Sequence, residues 1–175
     1  KEGGFMNKKS GLATAFIVTF TTCSAAWSAP GKEETDLLNN IARDGMLEVQ
    51  LGKLAEKRGT SAEVLKFGKH MVTDHSKAND ELKQAAAKEN VTLPADISPE
   101  QKQKKDKLAE LKGAEFDRKY MEEMVAGHKK AIEAIRKETE IGTGATKGWA
   151  EKTLPVIEEH KKEADKIDGE IATAK

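Results

Sequence analysis

Cysteine is nearly missing from this sequence: Cys23 is the single one among 175 residues. It lies in an N-terminal segment that reads as removable. A disulfide framework and thiol chemistry are therefore excluded for the chain that would remain. An excess of either charge is also missing, since 30 Lys and Arg balance 30 Asp and Glu. No long-range field draws the chain toward nucleic acid, and no nucleic-acid partner is expected. The most basic stretch, residues 101–112, holds five lysines mixed with Asp106 and Glu110 and no aromatic side chain. It reads as a solvated helix face. Aromatics make up only 5% of the chain, and long runs of β-branched residues are few. What remains is rich in Lys, Glu and Ala, which favours helices. The length suits one domain.

A long apolar run is lacking as well. The stretch 11–22 is apolar but too short to cross a bilayer. It follows the basic Met6-Asn7-Lys8-Lys9 and precedes the small residues around Cys23-Ser24-Ala25-Ala26-Trp27-Ser28-Ala29. Together these form the three regions of a secretory signal peptide. Ser24 with Ala26 fits the small-x-small cleavage rule best, and Ala26 with Ser28 comes next. A cut after Ala29 would place Trp27 badly. Phe20-Thr21-Thr22 before Cys23 is a weak lipoprotein match. Lys1-Glu2-Gly3-Gly4 reads as the translation of a purine-rich ribosome-binding site, which makes Met6 the expected initiator. The expected division is thus a signal peptide at 1–29 and one helical domain at 30–175, periplasmic or secreted, with no transmembrane span after processing. Without residues 1–29 the chain carries 27 basic and 29 acidic residues, a net charge of −2.

Four long helices and one short one are legible. The first, 34–58, has Leu37, Ile41, Glu48, Leu51 and Ala55 on one stripe and ends at Gly59. Thr60-Ser61-Ala62-Glu63 reads as a capping box that starts the second at once, making an antiparallel hairpin. The second runs to about 90, with stripe Val64, Gly68, Met71, His75, Ala78, Leu82 and Ala85. After a Pro-containing loop at 91–97, Ser98-Pro99-Glu100-Gln101 starts a short polar helix that ends near 113. The third long helix, 114–141, aligns Phe116 or Asp117, Tyr120, Met124, His128, Ala131 or Ile132, and Ile135. The fourth, 146–171, aligns Trp149, Thr153, Val156, His160, Ala164, Ile167 and Ile171. Pro155 is expected to kink or begin it. Two hairpins joined by a long connection suit a ferritin-like four-helix bundle with a short extra helix in the crossover. The motif Met-Val-x-x-His-x-Lys-Ala occurs at 71–78 and again at 124–131, which suggests equivalent places in the bundle.

Each long helix carries a polar residue within its apolar stripe: Glu48, His75, His128 and His160. A lone inward histidine is commonly a satisfied core residue, but four such groups on four helices are more informative. Each histidine lies about 14 residues into its helix, roughly 21 Å along it at ~1.5 Å per residue. Asp44 is level with them and Glu48 is one turn away. Burying these groups together demands mutual hydrogen bonds or a cation. Three imidazoles and a carboxylate suit a divalent transition metal ion such as Zn, Fe, Ni or Cu. Met71 and Met124, one turn from a histidine each, would add soft ligands, though filling core is the commoner use of such residues. Asp74 can orient His75 only weakly, because neighbours on a helix point about 100° apart. His70 is off the stripe and expected in solvent. Gly127, beside His128, is a candidate for close helix approach. No Glu-x-x-His occurs, so the di-iron signature is missing and no enzymatic activity is expected.

Several blocks appear in order: Glu48-Val49-x-Leu51-Gly52-x-Leu54-Ala55; Phe67-Gly68-x-x-Met71-Val72-x-Asp74-His75-x-Lys77-Ala78-Asn79; Phe116-Asp117-x-x-Tyr120-Met121-x-x-Met124-Val125-x-x-His128; and Thr153-Leu154-Pro155 with His160. In these the sequence resembles the exported bacterial family catalogued as domain of unknown function 4142, over about residues 34–165. The resemblance implies a ferritin-like bundle outside the cytoplasm and implies no established reaction. The label of outer membrane protein sometimes given to that family finds no alternating barrel strands here. Two readings follow. One is an exported bundle binding a transition metal through one polar residue per helix. The other is a metal-free envelope or stress-related interaction module whose histidines form a polar network. Whether a protein partner or a homo-oligomer is involved is left open.

Overall fold

The computed structural model describes residues 30–173. The signal-peptide expectation, residues 1–29, lies outside them. The regular structure among the described residues is helical: α1 Lys32–Arg58, α2 Ala62–Lys88, α3 Pro99–Glu110, α4 Gly113–Ile141 and α5 Gly144–Thr173. Each boundary has a local cause. Ser98 and Gln101 form a capping box at α3 with Pro99 in the first turn, as expected. At α2 the cap is Ser61, whose hydroxyl oxygen accepts from Glu63 N and Val64 N. Thr60 is not the cap; its hydroxyl donates to Asp117 on α4.

That contact also sets helix direction. Asp117, near the start of α4, accepts from the backbone N–H groups of Thr60 (3.0 Å) and Ser61 (2.8 Å) in the α1–α2 turn. At the opposite pole, Glu34 at the start of α1 accepts from Thr143 N. Glu89 at the end of α2 accepts from the Thr146 N–H and hydroxyl at the start of α5. This second pole therefore holds the starts of α1 and α5 with the ends of α2 and α4, and α2 and α4 run the same way. Helix α1 packs against α2 and α4, and α5 against α4 and α2. Every packed pair of long helices is antiparallel, and α2 and α4 face across the diagonal. The crossover helix α3 lies over α1 and α4 through Lys105–Gln50, Gln101–Asp44 and Lys104–Glu123 contacts.

The approach of α1 to α2 is close because two glycines meet. A Cβ on Gly52 would stand 2.7 Å from the Gly68 carbonyl oxygen, and one on Gly68 would stand 2.9 Å from Ala55 Cβ. One apolar cluster gathers Leu51, Phe67, Met71, Phe116, Tyr120 and Met124. A second gathers Leu38, Ile41, Leu82, Ile135, Trp149 and Ile157. Two expectations for the last helix need correction. Val156 is 41% exposed, and Ile157, at 2%, takes its place in the stripe. The order Thr153, Ile157, His160, Ala164 keeps the four-then-three spacing of a helix face. Pro155 neither begins the helix, which starts eleven residues earlier, nor interrupts it. It lies on the solvent side, where the carbonyl it leaves unbonded can reach water.

The two capping carboxylates at opposite poles fasten the hairpins together. Asp117→Ala removes the acceptor for two partly buried backbone donors, and donors stranded in full burial cost about 1–3 kcal/mol each. Urea unfolding of this variant is expected to show a loss of roughly 2 kcal/mol. A loss below ~0.5 kcal/mol would show that the turn finds other partners.

Candidate metal centre

The boundary between the two apolar clusters is occupied by histidine. His75 follows Met71 on α2, His128 follows Met124 on α4, and His160 lies between Ile157 and Ala164 on α5. Their exposures are 4%, 1% and 5%. The ring centroids form a nearly equilateral triangle with separations of 5.6, 5.4 and 5.6 Å. One nitrogen from each ring lies within 4.8 Å of the other two. The repeated Met-Val-x-x-His motif thus does mark equivalent places: both methionines are fully buried, and both histidines turn into one layer.

Partners on the far side of two rings fix their tautomers. His128 Nδ1 is 2.8 Å from the Met124 carbonyl oxygen, so that nitrogen carries the proton and donates. His160 Nε2 is 2.9 Å from Asp74 Oδ2 and donates to it. The remaining nitrogens, His128 Nε2 and His160 Nδ1, are then lone-pair atoms. Both are buried without a hydrogen-bond partner, and so is His75 Nε2. Asp74 therefore serves His160 across the α2–α5 interface and not its neighbour His75. This is the outer carboxylate–histidine pairing that orients metal ligands. His70 does not stand alone in solvent; its Nδ1 lies 3.2 Å from Glu163 Oε2 on a half-exposed surface.

Glu48 is 7% exposed but does not belong to the triad of mutually close ligand atoms. It lies against α4 at Gly127, where an added Cβ would approach Glu48 Oε1 to 2.9 Å. It lines a cavity of about 280 Å³ shared with His75, and its Oε2 has no partner. Asp44, expected level with the histidines, is exposed and accepts a hydrogen bond from Gln101 of α3 at 2.6 Å. Met71 and Met124 pack in the apolar cluster; the group His128 engages is the Met124 backbone carbonyl, not its sulfur.

Burial governs the protonation of these groups. It drives His75 well below the ordinary histidine value, and the other two rings push the same way. It lowers His128 to about 4 against the opposing pull of its bond to the Met124 carbonyl. Both rings are neutral at pH 7 and can act as ligands without losing a proton. Burial, then the charge of Asp44, raises Glu48 to about 8. Burial also lifts Tyr120 well above its usual range, with Glu48 adding to the rise. At the pole formed by the α4–α5 turn, the wholly buried Glu138 is raised to about 7 by burial, with Glu34 and Glu89 adding to it. No sequence signal pointed to Glu138.

With the geometry established, relatives can be placed. The family described as Domain of unknown function (DUF4142) matches residues 21–167. The chain belongs to that family. No curated protein matches it. The crystal structure of a DUF305 fragment from Deinococcus radiodurans is similar, with a TM-score of 0.70 at 11% identity, covering 81% of this chain and 99% of that one. At that identity the likeness is one of fold. It extends the all-helical architecture to the fragment and assigns no chemistry to the DUF4142 chain. Among the described residues no helix is long and apolar enough to cross a membrane.

The opposed shifts give the metal-free protein a definite pH profile. Lowered His128 leaves the unfolded chain holding more protons between about pH 4 and 6.5, and lowered His75 acts in the same sense below its ordinary value, so their contribution rises with pH there. Raised Glu48 and Glu138 act in the opposite sense: the folded chain holds the extra proton, and stability falls from pH ~4.5 up to about 7 for Glu138 and about 8 for Glu48. Above pH 6.5 the histidine contribution fades and the carboxyls dominate. Unfolding free energy is expected to decline between pH 6.5 and 8, and less steeply in Glu48→Gln. Equal slopes in both proteins would contradict the assignment to Glu48.

Proposed function

We propose that this protein is an exported helical bundle that holds one divalent transition metal ion between His75, His128 and His160, with Glu48 beside the ion. The single observation that carries the reading is the convergence of three buried imidazoles, one per helix, with one ligand nitrogen of each within 4.8 Å of the others and a buried, unpartnered nitrogen on every ring. Atoms no more than 4.8 Å apart share a point within about 2.8 Å of each, the centre of an equilateral triangle of that edge. Imidazole–metal bonds are ~2.0–2.1 Å long, so shifts of under ~1 Å at each ring bring all three into range. Three imidazoles without thiolate suit Zn(II) or Cu(II), and on the general order of affinities Cu(II) binds more tightly than Fe, Ni or Zn.

A metal-free polar network is less well supported. Such a network would join the rings by hydrogen bonds, and the three facing nitrogens make none with protein groups. Redox catalysis of the di-iron kind lacks its ligands, since no Glu-x-x-His is present. Export rests on the N-terminal pattern of a basic start, a short apolar run and small residues.

Purified protein is expected to bind Zn(II) or Cu(II) at one ion per chain and to melt at higher temperature with the ion, because binding to the folded state alone stabilises it, by about 2.7 kcal/mol at a hundredfold excess over Kd. His128→Ala and, separately, His75→Gln should lose most of that shift. A metal-induced shift of the same size in wild type and in both variants would refute the site.

A further inference from the structure

Between the helices lies a cavity of about 280 Å³, bounded by α1, α2, α4 and α5 with α3 across its mouth. That volume approaches the range of small-molecule sites, ~300–1,000 Å³, and exceeds what one or two waters occupy. Ile41, Ile135, Trp149 and Ile157 form an apolar wall. Three buried polar side chains share the lining: Glu48, His75 and Thr153. Of these, Glu48 alone can carry negative charge. It is 7% exposed, and its Oε2 has no hydrogen-bond partner. A buried carboxylate without a partner is costly, and a charged donor beside it offsets the cost.

The charges around the mouth favour a cation as that donor. Asp44, Glu100 and Glu123 stand there in front of Glu48, against Lys104 and Lys130. Lys104 pairs with Glu123, and Lys130 lies within electrostatic reach of Asp44. Both lysines are thus engaged at the rim, and Glu48 is left without an ion-pair partner among the described residues. A bare metal ion suits this lining poorly. Hard ions such as Ca(II) and Mg(II) take about six to eight oxygen ligands, whereas the buried wall offers one carboxylate and the Thr153 hydroxyl. An alkylammonium suits both halves of the cavity. Its three N–H groups are a compact charge for Glu48, and its stem is apolar.

We propose that this cavity binds a small primary amine, with the ammonium on the Glu48 carboxylate and a short alkyl body against Ile41, Ile135 and Trp149. Amine binding does not depend on the triad holding a metal. Of the three histidines only His75 lines the cavity.

Isothermal titration of the chelator-treated full chain at about pH 9 tests the assignment, because there the Glu48 carboxyl is ionised and a primary alkylamine keeps its proton. A triad that fails to bind metal leaves this experiment unchanged. Butylammonium should bind wild type at one per chain. Affinity should rise about fourfold with each CH₂ from ethylammonium to butylammonium. Butanol and butyrate should bind at least about tenfold more weakly than butylammonium. Glu48→Gln keeps the shape of the side chain and should weaken butylammonium at least about tenfold while leaving butanol unchanged. Ala134→Leu and, separately, Ala131→Leu intrude on the cavity from α4, and either should weaken butylammonium at least about tenfold. Butanol or butyrate binding as tightly as butylammonium overturns the selection of a cation. Undiminished butylammonium binding in Glu48→Gln places the ammonium on the rim acids and overturns the role of Glu48. No heat from butylammonium in wild type overturns the amine site outright.

Discussion

Three imidazole nitrogens that face one another without hydrogen-bond partners, deep between two apolar clusters, are the constraint from which the account is built. Leaving such atoms stranded is costly in a core that could have been filled with Leu or Ile. The cost is spread over α2, α4 and α5, so no single helix can relieve it by turning. All three must arrive at one level. That requirement explains the parallel course of α2 and α4, the long crossover that permits it, and the carboxylates that fasten the poles.

The surroundings of the triad are graded. On one flank, Asp74 and the Met124 carbonyl hold two rings in fixed tautomers, so their lone pairs are committed to the interior. On the other, the cavity leaves room beside His75. Glu48, raised to about 8, is mainly neutral at pH 7 and sits within about one pH unit of its midpoint. It is therefore a group whose charge would respond to an ion arriving nearby. Gly127 makes space for it, because any side chain there would strike its carboxylate.

Much of this was legible in the sequence. The Ser98–Gln101 box, the stripes and the repeated Met-Val-x-x-His placed the helices and put the three histidines at one depth. The parts that were not legible depend on relations across helices, which periodicity does not encode. Asp74 was weighed against His75 because they are neighbours in sequence, yet it faces His160 on another helix. Asp44, expected level with the triad, is exposed and bonded to Gln101 instead, since a one-turn step from Glu48 also rotates the side chain by about 40° on a helix of 3.6 residues per turn. Thr60 looked like half of a capping box because nothing local announces that Asp117 will claim its hydroxyl. Val156 and Ile157 are both apolar, and only packing decides which faces inward. The buried Glu138 carries no signal at all in a chain so rich in exposed glutamate.

The most direct test is X-ray absorption at the metal edge of Zn-loaded protein at pH 7. The account predicts a low-coordinate ion with three imidazoles at ~2.0–2.1 Å, shown by their outer-shell scattering, and one further light atom. A spectrum of six oxygen neighbours without imidazole scattering would contradict it, because it would place the ion on surface carboxylates and leave the buried triad without the role assigned to it.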